Sequence, residues 1–101
     1  MDDTRDRIDR PLICIDPAGR SAGLLPADII LLTGAGRCSR SDIMAASTPQ
    51  TVVAGPAECL QGLPLNQLVL RAGQTQTVLG VKVIVSAASG GMRYVVERPT
   101  P

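Results

Sequence analysis

The chain has 101 residues, of which ten are Lys or Arg and nine are Asp or Glu, for a formal net charge of +1. Such a balance supplies no field for nucleic acid or an anionic membrane surface, and the length fits one domain with a modest core. There is no His, Phe or Trp and a single Tyr, Tyr94, which excludes zinc sites of the usual Cys/His kind and requires an aliphatic core.

In chain order, residues 1–11 form a charged N-terminal arm. Four Asp and three Arg fall in its first ten positions, with Ile8 as the one substantial apolar residue. A segment of this kind buries too little to order itself, and it is expected to order against a partner through Arg5, Arg7 and Ile8. No stretch approaches the length of a membrane span, and the charged start lacks the apolar run of a signal peptide, so a soluble protein made in a cytoplasm is expected.

Residues 12–97 are expected to form a single β domain and residues 98–101 a tail. Leu12, Ile13, Cys14 and Ile15 make a short apolar strand, stopped by Asp16-Pro17 and a small-residue loop over 18–23. Four consecutive large aliphatics at 29–32 predict a strand covered on both faces, ended by Gly34-Ala35-Gly36. Residues 37–48 are the one helical candidate, capped by Ser39 or Ser41 and halted by Pro49. Thr51, Val52 and Val53 predict the next strand.

Residues 62–80 read as a hairpin whose turn is Ala72-Gly73. Val81, Val83 and Val85 then share one face of a strand, with Lys82 and Ile84 on the other. A turn over 86–91 leads into a last strand over 92–97.

Two phrases recur. Residues 25–34 lie over 63–72, and 50–55 echo 76–80, as if one β unit were written twice. Short strands separated by Gly-rich turns then predict an all-β fold: a small barrel or sandwich of repeated hairpins, with at most one short helix and an extended N-terminal arm. A small domain without aromatics or metal gains stability by association, so a homo-oligomer is expected.

Candidate chemistry is sparse. Asp16, Asp28 and Asp42 stand where turn or cap residues are needed, and the spacing of Glu58 and Glu97 points to no paired-carboxylate site. Cys38, Ser39 and Ser41 lack a His base, and no Ser–Lys motif surrounds the single lysine, Lys82. The run 30–36 has the strand and Gly turn of a nucleotide site but neither the third glycine nor a following helix of adequate length. Cys14, Cys38 and Cys59 form no CxxC pair and read as free thiols. No catalytic, cofactor or metal site is therefore predicted.

Two family resemblances accompany these residues. The stretch TGAGRCSRSDIMAASTPQTVVAG, with GLPLNQLVLRAGQTQTVLGVKVIVSAASGG after it, resembles small structural proteins of tailed phages, namely head decoration (cement) proteins and β modules of fibres. That resemblance implies a non-enzymatic, cofactor-free virion subunit, a β-rich trimer on a capsid lattice with its arm pinned to a major capsid protein. AGLLPADII at 22–30 and LVLRAGQ at 68–74 resemble the AGLxPGDxI and LxVxRxGQ phrases of bacterial PDZ domains. That would imply a peptide-binding module of an envelope or protease protein. The internal repeat favours the first, because a barrel of similar hairpins gives the phrases a reason to match.

Overall fold

The computed structural model describes residues 12–16, 26–34 and 39–97. The arm with Arg5, Arg7 and Ile8, and the tail, lie outside the described residues. Seven strands and two short helices follow in the order β1 (Ile13–Ile15), β2 (Ile29–Leu31), α1 (Arg40–Ala45), β3 (Val52–Gly55), α2 (Ala57–Leu60), β4 (Asn66–Val69), β5 (Thr75–Val78), β6 (Val81–Ala88) and β7 (Gly91–Glu97). The first four strands form a parallel sheet in the order β1-β2-β3-β4, and the last three an antiparallel sheet in the order β5-β6-β7. The fold is mixed α/β. The expectation of an all-β barrel or sandwich with at most one helix is overturned.

The layering follows from the sequence of β2. Its residues alternate between two cores: Ile30 and the adjoining Leu32 pack with Ile43 and Ala46 beside α1, Leu60 of α2 and Leu63, whereas Ile29 and Leu31 pack with Val81, Val83 and Val85. All three residues of β2 are 0% exposed, so the strand covered on both faces is present as expected. Sequential parallel strands joined by crossovers of one hand carry their helices on one side of the sheet. The other side then needs a separate cover, and the antiparallel sheet supplies it. Three layers result, with helices, parallel sheet and antiparallel sheet in turn.

α1 is capped as the sequence indicated. The Ser39 hydroxyl accepts from the Asp42 amide at 3.1 Å, in an extended N-cap conformation. α2 has no sequence signature, because its four residues, AECL, carry no period and its N-cap Pro56 offers no side-chain acceptor. Its end is held instead by Gln67 of β4, whose amide donates to the carbonyls of Leu60 and Leu63 at 2.8 Å each.

The predicted hairpin over 62–80 does not form. β4 joins the parallel sheet and β5 the antiparallel one, and residues 71–74 carry the chain from one sheet to the other. The matching phrases therefore sit in unlike surroundings. Residues 29–31 form a buried inner strand, while their counterparts near 67–69 form a largely exposed edge strand. Likewise β3 is a parallel strand and β5 an antiparallel one. The repeat reflects a shared need for short aliphatic strands, and it carries no topology.

Candidate functional site

The parallel strands all end on one edge of their sheet, which is where α/β sheets open crevices for ligands. Asp16 follows the last residue of β1 and has φ of +48°, in the left-handed region that Asp tolerates better than most side chains. That turn swings its carboxylate across to the end of β2. Oδ1 accepts from the Thr33 amide at 2.9 Å and Oδ2 from the Thr33 hydroxyl at 2.5 Å. The turn role read for Asp16 is correct, but it omits this bidentate contact, because a partner seventeen residues away has no sequence signature.

The β6–β7 hairpin closes the third side. The Met92 amide donates to the Thr33 carbonyl at 2.7 Å, and the Tyr94 hydroxyl donates to the Leu32 carbonyl. Gly91 is required at this crossing, since a Cβ there would fall on the Thr33 carbonyl. Ile15, Asp16, Thr33, Ala88, Met92 and Tyr94 are among the residues lining a cleft of about 350 Å³. Burial, and then the negative charge of Asp16, push the Tyr94 phenol well above its ordinary value of 10, so it stays protonated as a donor.

The remaining candidates are dispersed. The Asp28 carboxylate accepts from the Leu12 amide at 2.8 Å, tying the start of β1 to that of β2. Asp42 and Glu58 occupy the first turns of α1 and α2, where the helix dipole favours them. Glu97 pairs with Lys82 at 3.6 Å on the open face of the antiparallel sheet. Ser39 and Ser41 contact each other at 3.1 Å around the α1 cap, and Cys38 lies outside the described residues. Cys14 and Cys59 are half-buried thiols on the helix side, both raised above 9 chiefly by burial. Among the described residues, no helix is long and apolar enough to cross a membrane.

No family model and no curated protein matches the chain. Among solved structures it is similar to one from Parabacteroides distasonis ATCC 8503 described as a "Putative metal-dependent hydrolase", with a TM-score of 0.71 and 20% identity. The match covers 85% of this chain and 47% of that one, so the chain spans about half the neighbour's length. At this identity the likeness shows the fold. It places the α/β layering in a protein described as a hydrolase, and with the hairpin-built body gone the decoration-subunit reading and its PDZ alternative are overturned.

A metal is the group such a neighbour implies, and the donors among the described residues do not fit one. Hydrolytic metal sites draw on His, carboxylate and thiolate ligands, and this chain has no His at any position. Among the described residues, no three His, Cys, Asp or Glu side chains gather. Among the described residues, Asp16 is the one carboxylate lining the cleft, and each of its oxygens already accepts from Thr33. The thiols of Cys14 and Cys59 are held protonated by burial, which opposes thiolate ligation.

Proposed function

We propose that this chain is a metal-free binding domain on a hydrolase-like scaffold, which takes a small organic ligand in the cleft beyond β1 and β2. The observation that carries the reading is Asp16. A non-glycine residue in the left-handed region, fixed by two hydrogen bonds and aimed into a cleft, marks a position where backbone strain serves a site. The cleft volume suits a small molecule. Its walls combine apolar Ile15, Ala88 and Met92 with Arg93 and the Asp16 carboxylate, which keeps lone pairs beyond those Thr33 uses. The complementary ligand has hydroxyl groups, able to donate to Asp16 and accept from Arg93, on a short apolar body.

The test is an NMR screen of the full chain against small polyols, amino alcohols and amines. Binding should perturb the amides of Ile15, Asp16, Thr33 and Met92, and Asp16→Asn should weaken it at least about tenfold through loss of a charged acceptor. Perturbations scattered away from the cleft, or none with any class of probe, would remove the proposal.

The neighbour's greater length favours a second reading, in which this chain is part of a hydrolase and supplies Asp16 to its metal centre. Elemental analysis after dialysis against zinc or manganese separates the two. The chain alone should retain no stoichiometric metal. Retention at one ion per chain that is lost in Asp16→Asn would favour the hydrolase.

A further inference from the structure

Among the described residues, the antiparallel sheet buries one face against the parallel sheet and nothing covers the other. Register places the outward residues in rows across the strands. The middle row is Thr75, Ile84 and Val95, with Thr77, Lys82 and Glu97 on one side of it and Ser86 and Arg93 on the other. Val95 is 50% exposed and, with the half-buried Ile84, forms an apolar centre in an otherwise polar face.

The charges around that centre are arranged with opposite signs at equal spacing. Along β7, Glu97 lies two residues beyond Val95 and Arg93 two residues before it. A two-fold axis running along the Thr75–Ile84–Val95 row inverts the strand direction and leaves each column in place. It sets Val95 over Val95 and Ile84 over Ile84 of a second copy. It also brings Arg93 of each copy over Glu97 of the other, and the Lys82 ammonium over the Ser86 hydroxyl. Aligned sheets pack with a rotation of about 30°, an offset that Arg and Glu side chains are long enough to bridge. The face is thus complementary to itself and to no rotation about an axis parallel to the strands, which would leave β7 opposite the threonines of β5.

We propose that this face joins two copies of the chain in an isologous sheet-on-sheet dimer, centred on Ile84 and Val95 and fixed in orientation by two Arg93–Glu97 pairs. With strands about 4.8 Å apart and about 3.4 Å per residue, strands of 4, 8 and 7 residues span on the order of 300 Å² per copy. That is below the usual area of a stable complex, so the dimer is reversible and concentration-dependent. Arg93 also stands at the rim of the cleft, so the dimer face and the cleft share that side chain, while Glu97, Ile84 and Val95 belong to the dimer face alone.

Sedimentation equilibrium of the full chain over a wide concentration range tests this. The natural chain should show a reversible monomer–dimer equilibrium. Arg93→Glu, which keeps the internal Lys82–Glu97 pair, and Glu97→Arg, which reverses the other end, should each weaken self-association at least about tenfold by juxtaposing like charges. An equimolar mixture of the two variants should regain association, because each then meets its opposite, and so should the double variant R93E/E97R. Circular dichroism melts confirm that the variants are folded. A natural chain that stays monomeric throughout, single variants that associate as it does, or a mixture that fails to associate would each overturn the proposal.

Discussion

Leu79 has φ of +49° at the β5–β6 turn, followed by Gly80 at +81°. Two consecutive left-handed residues make the turn that matches strand twist, and Asn-Gly is its preferred sequence. A leucine there costs about 1–2 kcal/mol of backbone strain, and at 53% exposure its side chain recovers little by burial. Leu79→Asn should therefore raise the stability by about 1 kcal/mol in urea unfolding, without altering the slope. Asp16 is the opposite case. Asp16→Ala removes both acceptors for Thr33 and should cost about 1–3 kcal/mol, while Asp16→Asn, which tolerates the same φ and keeps one acceptor, should cost less.

Tyr94, Cys14 and Cys59 set the response to alkali. All three carry pKa values raised in the folded protein, by burial first and then by neighbouring acids. A raised value means the unfolded chain loses its proton at lower pH, so the stabilising contribution is complete below the unfolded values and declines as pH rises. The decline should begin above about pH 9 with the thiols and steepen above about pH 10 with the phenol. Melts recorded from pH 7 to 11 should show it. Tyr94→Phe should flatten the upper part while costing about 1 kcal/mol at neutral pH for the bond to Leu32.

At the level of elements, the β6–β7 hairpin is joined to β2 by main-chain geometry. Gly91→Ala should be severely destabilising, because the new methyl meets the Thr33 carbonyl, which belongs to a rigid strand end. Gly73, at positive φ but with open space around it, should lose only about 1 kcal/mol on the same change. Thermal melts of the two variants compare them directly, and similar losses would mean that the crossing relaxes freely.

Element positions were legible in the sequence to within a few residues, since Gly and Pro punctuate nearly every strand. Their pairing was not. Ile29, Ile30 and Leu31 signalled a strand covered on both sides, which is the mark of a parallel sheet. That mark was outweighed by the match of 25–34 to 63–72, two strands that the fold places two positions apart in one sheet with different burial. Short aliphatic runs look alike whether they pair in parallel or as hairpins, and a helix of four residues such as α2 leaves no periodic trace.

On the scale of the whole molecule, the cleft was hidden for a related reason. Asp16 was visible as a turn residue, but Thr33, Met92 and Tyr94 come from other parts of the chain and carry no motif that links them. What the sequence did establish is the donor inventory. With no His anywhere in the chain, zinc sites of the usual Cys/His kind are excluded whatever its topology.

The layering also orders events during synthesis. Ile29, Leu31 and Ala54 leave the ribosome well before Val81, Val83 and Val85, the residues that cover them. Until β5 to β7 emerge, one side of the growing parallel sheet lacks the strands that cover it, and the contacts that close it span some fifty residues or more for β2. Such late, long-range closure slows folding and leaves a nascent chain dependent on being shielded from its neighbours.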